Sequence, residues 1–213
     1  MAGGAGKDSN LMKAILQTAA GNPENQDRGL VLEDDARSIL CVADGAGGLS
    51  GAVEAADMAI EIIRRNASLM NSKEACVEAL RNLDAAIASD PIAGETTCVF
   101  AIVTAEMIFG ASVGDSGVWL IPDNGKPENL THAQQRKPLI GSDQALPVAF
   151  HTQRSPGTLL LATDGLLKYS GAESIIATCK QRPIISAAKQ LIESVRYASG
   201  ALPDDVTLII TQL

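Results

Sequence analysis

With 213 residues, 46% of them hydrophobic, the chain can bury one substantial core and is expected to fold as a single domain over residues 1–213. Its formal net charge of −8 excludes nucleic acid as an expected partner, because binding that polymer rests on neutralising its phosphates with Lys and Arg. No apolar run is long enough to span a bilayer and MAGGAGKDSN lacks the apolar core of a signal peptide, so a cytoplasmic protein with no membrane partner is expected.

Residues 1–10 are small and polar and read as a disordered leader. Leu11 to Ala19 alternates loosely, a polar bend runs from Gly21 to Asp27, and Gly29 to Leu32 is extended again. This predicts a hairpin whose bend carries Asp27. Ser38 to Ala43 is a short apolar run that delivers Asp44 to a sheet edge, followed by Gly45, Gly47, Gly48 and Gly51. From Ser50 to Arg65 alanines and isoleucines recur at helical spacing, and a second helix over Ser72 to Ala88 is expected to be opened by Asn71.

Thr96 to Thr104, Met107 to Val113 and Val118 to Ile121 are rich in β-branched residues and predict a meander. Residues 122–147 are polar and weakly patterned, as in a surface excursion, and are expected to be the most mobile part. Thr158 to Ala162 is an apolar strand leading to Asp164-Gly165, Ala172 to Ala198 suits two helices, and Val206 to Thr211 is a last strand. Strands in runs and helices in pairs indicate α+β, since a parallel doubly wound sheet requires strict alternation.

The four cysteines, Cys41, Cys76, Cys98 and Cys179, lie far apart in apolar stretches and read as reduced core residues. His132 and His151 are the only histidines, and surface positions suit both. Nucleophilic schemes built on Ser-His-Asp or Cys-His therefore have little material.

Carboxylates offer more. Asp44 follows LCVA, Asp164 follows LLLAT, and Asp204-Asp205 precedes VTLII, so each lies where a buried strand meets a loop. A lone Asp-Gly is ordinary turn chemistry. Several strand-end acids that converge would repel unless cations lie between them, and hard oxygen donors select magnesium or manganese.

The segments GNPENQDRG, LCVADGAGGLSGAVEAA, GETTCVFAIV, FGASVGDSGVWLI, LLLATDGLL and PDDVTLIIT carry a more specific signal. In order and approximate register they resemble the metal-dependent serine/threonine protein phosphatases, the type 2C-like or PPM family, over about Ile15 to Thr211. Gln26 and the short chain are similar to minimal bacterial-type members. The resemblance implies a four-layer αββα sandwich of two antiparallel sheets with a helix pair outside each.

It also implies two divalent cations, Mn2+ or Mg2+. Asp44 would bridge them, the Gly45 carbonyl would bind one, Asp164 and Asp204 the other, and Asp27 would bind a metal or orient its waters. Asp44 and Asp164 would thereby hold the water that attacks phosphoserine or phosphothreonine in line. The implied partner is a phosphorylated protein, a serine/threonine kinase or its target. Asp115 matches the position of a weaker third metal, with a hairpin turn as its alternative role.

The sequence departs from the family in three places. Asn22 stands where many members have a phosphate-clamping arginine, so phosphate binding is expected to be weak or to use a substitute cation; Arg28, Arg136 and Lys137 are candidates. Lys168 stands where some relatives have an aspartate serving the third metal. Residues 122–147 are a shortened flap, which is expected to leave the metals exposed. A non-catalytic module that binds a phosphorylated partner is the alternative to an enzyme, and a metal-dependent nuclease is disfavoured by the acidic balance.

Overall fold

The computed structural model of the chain describes residues 13–46 and 50–213. The expected leader over residues 1–10, and Gly47 and Gly48 of the glycine-rich segment, lie outside the described residues. Strands β1 (Ala14–Ala19), β2 (Asp27–Glu33) and β3 (Ser38–Asp44) come first, then helices α1 (Ala52–Arg65) and α2 (Lys73–Ala88). Strands β4 (Cys98–Val103), β5 (Met107–Val113), β6 (Gly117–Pro122), β7 (Glu128–Asn129), β8 (Val148–Gln153) and β9 (Gly157–Ala162) follow. Helices α3 (Asp164–Leu167), α4 (Ala172–Cys179) and α5 (Ile184–Glu193) lead to the last strand, β10 (Val206–Gln212).

The strands form two antiparallel sheets, ordered β1-β10-β9-β6-β7 and β2-β3-β4-β5-β8. Period-two alternation sorts the apolar side chains of the central strands to two faces. In β3, Leu40 and Val42 join Val99 and Ala101 of β4 against Leu159 and Leu161 of β9 and Ile209 of β10, between the sheets. Their neighbours Ile39, Cys41 and Ala43 face the other way, onto α1 and α2. Leu160, Leu208 and Ile210 likewise face α4 and α5. Helix pair, sheet, sheet and helix pair thus stack as four layers, and both central strands are buried on both faces, which is why they read as continuous apolar runs.

The helices sit where their sequences let them approach. Ala55, Ala56 and Ala59 of α1 are wholly buried, and their small side chains bring the helix backbone close to the sheet. Gly51 caps α1 in the left-handed region, with φ 84°. Helix α2 is capped by Ser72, whose hydroxyl accepts the Ala75 N–H at 3.1 Å, and not by Asn71, because the cap must lie within reach of the third helical amide.

Two strand pairings differ from the sequence expectation. Strands β1 and β2 do not form a hairpin: β1 pairs with β10 and β2 with β3. The polar bend between them exceeds the two to five residues of typical hairpin loops and carries the chain from one sheet to the other. The predicted meander also breaks after β5. Gly114, at φ 92°, turns the chain out of the sheet, β6 pairs with β9, and β8 takes the place beside β5. Strand β8 falls beyond the expected excursion, and its half-exposed VAFHTQ pattern is that of an edge strand, which alternates weakly.

Residues 122–147 are better anchored than their composition suggests. Leu130, Leu139 and Ile140 are buried, and Thr96 bridges Ile140 through two backbone hydrogen bonds of 3.0 Å. Asp84 on α2 accepts the N–H groups of Gly141, Asp143 and Ala145 at 2.7, 3.1 and 2.9 Å.

Candidate active site

Strand pairing places the first two carboxylates. Asp27 is the first residue of β2, not part of the bend, and the β2–β3 register sets it directly opposite Asp44, the last residue of β3. Side chains in such a pair lie about 5 Å apart at Cβ, so like charges there repel. The Asp44 backbone is held on both sides: its N–H donates to Thr97 Oγ1 at 3.0 Å, and its carbonyl accepts Thr96 Oγ1 at 2.9 Å and the Thr97 N–H at 2.8 Å.

The other sheet contributes Asp164 and Asp204. Asp164 opens α3 just beyond β9, and Asp204 stands just before β10, the neighbouring strand. Gly165 lets these ends converge, for a Cβ there would lie 1.9 Å from the Asp205 carbonyl oxygen. Thr163 links the sheets: its hydroxyl donates to Asp27 Oδ2 at 2.8 Å, while the Thr207 N–H donates to it at 3.0 Å.

The two adjacent acids at 204 and 205 have different surroundings. Asp205 is 4% exposed, with Oδ1 accepting the N–H of Gly21 and Asn22 and Oδ2 that of Gln26. Both its oxygens serve the bend. Both acids line an open cleft, but Asp204 accepts only at Oδ1, from Asn22 Nδ2 at 3.2 Å and from the Asp205 N–H at 3.0 Å.

The cleft, of about 260 Å³, is lined by Asp44, Gly45, Asp115, Asp164 and Asp204 among others. Asp27, 3% exposed, does not line it but contacts Asp44. Burial pushes the Asp44 carboxyl up to about 10, reinforced by Asp27, Asp164, Asp115 and Asp204. Burial also raises Asp27 to about 7, against the hydrogen bond from Thr163. Asp164 is raised by burial and then by Asp115 and Asp204. Asp44 thus sits among like charges from both sheets, which favours its protonated form while no cation is bound.

All these donors are oxygens, as hard divalent cations require, and the charge they concentrate asks for a counterion. Among the described residues, no three His, Cys, Asp or Glu side chains already enclose an ion position. Magnesium-like cations keep several waters and bind through one or two carboxylates, so the spread donors around an open cleft fit hydrated ions.

The cations expected nearby divide. Arg28 does not face the cleft: it pairs with Asp57 of α1 and donates to the carbonyls of Asn25 and Asp27, because its position in β2 points it at the helix layer. Arg136 and Lys137 do line the cleft, as does Lys168. Arg136 Nε lies 2.7 Å from Asp115 Oδ2, and Asp115 sits in a turn that crosses between sheets rather than in a hairpin. His132 and His151 are exposed, with no part in the cleft lining. Thr97 and Thr163 carried no assigned role in the sequence; consecutive threonines Thr96-Thr97 at the mouth of an apolar strand were the available signal.

Two packed sheets with an acidic cleft at their shared edge suit chemistry assisted by divalent cations. The family described as Protein phosphatase 2C matches residues 18–194, and the chain belongs to that family. Its fold is similar to that of a bacterial serine phosphatase, with TM-score 0.81, 19% identity, and 94% of this chain and 97% of that one covered. It is also similar to the serine/threonine phosphatase Stp1 from Staphylococcus aureus, at TM-score 0.81 and 18% identity, covering 100% of this chain and 99% of that one. The catalytic domain of the serine/threonine protein phosphatase PstP in complex with two manganese ions superposes at TM-score 0.77 and 20% identity, covering 95% and 98%. At such identities the likeness is one of fold. No curated protein matches the chain.

Proposed function

We propose that this phosphatase hydrolyses phosphoserine and phosphothreonine in proteins with two divalent cations, Mn2+ or Mg2+. Asp44 would contact both cations, with the Gly45 carbonyl, Asp164 and Asp204 completing the ligands and Asp27 positioning Asp44 and its waters from behind. The observation that carries this reading is the place of Asp44, opposite Asp27 in a strand pair and in one cleft lining with Asp164 and Asp204, where burial and then those acids raise its carboxyl. When bound, such cations supply a nucleophilic water at neutral pH and neutralise charge on the phosphoryl oxygens.

The chain's own residues do the positioning. Thr96 and Thr97 hold the Asp44 backbone, Thr163 fixes Asp27, and Asp205 holds the bend that carries Gln26 to the cleft wall. Asp115 is the candidate for a third, weaker cation, in competition with Arg136 for the same oxygen. The substrate would be a phosphorylated serine/threonine kinase or its target, in the cytoplasm; no helix among the described residues is long and apolar enough to cross a membrane.

A non-catalytic module that binds a phosphorylated partner is favoured only by Asn22, whose amide rests on Asp204 where a phosphate-binding cation is expected. One experiment separates the two: hydrolysis of an aryl phosphate and a phosphothreonine peptide, with manganese or chelator, by wild type and Asp44→Asn. The enzyme reading expects chelator to abolish turnover and the variant to lose about two orders of magnitude or more. Turnover that survives chelator overturns it, and metal binding without turnover supports the module.

A further inference from the structure

Three cations border the acidic cleft, and their pairing is uneven. Arg136 is tethered by Asp115 through Nε, and among the described residues its two terminal nitrogens make no hydrogen bond. Held at Nε, a guanidinium still presents a planar edge of donors suited to two oxygens of one phosphate. Lys168 follows Asp164 by one helical turn, its N–H donating to the Asp164 carbonyl at 2.8 Å, and residues so spaced share a face. Its Nζ lies 5.1 Å from the centre of the Tyr169 ring, and among the described residues it forms no salt bridge. Arg136 and Lys168 come from different parts of the chain, residues 122–147 and the residue that ends α3, yet both line the same cleft.

Two like charges gathered beside a carboxylate cluster need an explanation. Neutralisation accounts for Arg136 Nε, which has a carboxylate partner, and for the effect of Lys168 on Asp164, but not for the open edge of Arg136. A dianion entering the cleft would otherwise meet Asp44, Asp115, Asp164, Asp204 and Asp205. Two divalent cations carry four positive charges against those five carboxylates, so they leave no net attraction for a dianion.

We propose that Arg136, oriented by Asp115, and Lys168 form the phosphate-binding pair of this chain, taking the role for which Asn22 has no charge. This rests on the phosphatase reading for its biological substrate, but not for its chemistry. Arg136 grips the phosphoryl group with its open edge and Lys168 adds a point charge from the end of α3.

The test combines equilibrium and kinetic measurements on the manganese-loaded protein. Inorganic phosphate is titrated calorimetrically into wild type, Arg136→Ala, Arg136→Lys and Lys168→Ala, and aryl phosphate hydrolysis is measured in parallel, with Lys180→Ala as a charge control. Arg136→Ala is expected to weaken phosphate binding and raise KM about tenfold, with kcat less affected, and Arg136→Lys to restore only part of it. Lys168→Ala should weaken binding several-fold, Lys180→Ala not at all, and manganese affinity should hold or tighten in every variant. Equal phosphate affinity in wild type, Arg136→Ala and Lys168→Ala overturns the proposal, as does a wild type that binds no phosphate. If wild type binds phosphate without turning over, the titrations still decide this point, and the enzyme reading alone fails.

Discussion

Asp205 Oδ2 accepts the backbone N–H of Gln26 at 2.8 Å, a contact that joins positions 179 residues apart and closes the gap between the two sheets. The same carboxylate holds Gly21 and Asn22 through its other oxygen. The acid beside the metal-ligand candidate Asp204 thus acts as a clasp, and Asp204 is free to face the cleft.

Removing the clasp should disturb stability and metal binding together. Asp205→Ala leaves three backbone donors without their acceptor, and hydrogen bonds to charged groups contribute about 1.5–3 kcal/mol each, so a loss of about 3 kcal/mol or more is expected in urea unfolding. Asp205→Asn keeps the shape and should lose less. Manganese affinity, followed by calorimetry, should fall in Asp205→Ala because Gln26 and Asp27 shift. Unaltered stability would show that the bend is held by something else.

Gly165 tests the convergence of β9 and β10. A methyl group at this position meets the Asp205 carbonyl oxygen at 1.9 Å, and backbone cannot yield as a flexible side chain can. Gly165→Ala should cost about 1–3 kcal/mol and weaken manganese binding by moving Asp164 away from Asp204. Calorimetry beside urea unfolding reads both effects, and full metal affinity in the variant would argue that the two acids do not act on the same ion.

The buried carboxylates predict an unusual pH dependence for the metal-free protein. Asp27 keeps its proton to about pH 7 in the folded state, against a normal value of 3.8. Between those values the folded state binds the extra proton, so stability against unfolding falls as pH rises. Asp44, pushed up to about 10 by burial and then by Asp27, Asp164, Asp115 and Asp204, titrates with it as a pair. Melting in chelator should therefore occur at lower temperature at pH 8 than at pH 5, by several degrees relative to Asp27→Asn, and added manganese should raise the melting temperature more at pH 8. A wild type whose slope matches that of Asp27→Asn would remove Asp27 as the cause.

The segment over residues 122–147 can be loosened from outside the cleft. Asp84 is 6% exposed and binds three backbone N–H groups of residues 141–145. Asp84→Ala is expected to cost about 2–4 kcal/mol and to raise amide exchange at Gly141, Asp143 and Ala145 with little change at α1. Hydrogen exchange resolved by residue checks this, and protection retained at those amides would assign their anchoring to the Thr96–Ile140 bridge alone.

Much of the fold was legible because its elements are set by local pattern. The alanine stripe of α1, the apolar runs of β3, β4, β9 and β10, and the closing helix pair occur where alternation and helical spacing place them. The acids at 44, 164 and 204 were legible for the same reason, since a strand end is visible as the point where apolar sequence stops. Pairing was not legible. The bend from Gly21 to Asp27 looks like a hairpin in isolation, and its true course depends on Asp205, a residue remote in the chain. Nor could Arg28 and Arg136 be told apart, for each is an arginine in a polar stretch until Asp57 claims one and Asp115 turns the other toward the cleft.

By itself, then, the sequence determined the order of elements and which carboxylates end buried strands, because burial periodicity and strand termination are properties of short segments; the layers and the family were legible only through the resemblance of six ordered segments. Only the tertiary structure decided that Asp27 stands opposite Asp44 in a strand pair, that Asp205 serves the backbone while Asp204 faces solvent, and which cations reach the cleft. Each of those depends on register between distant segments, where a shift of a single residue would turn every side chain to the opposite face.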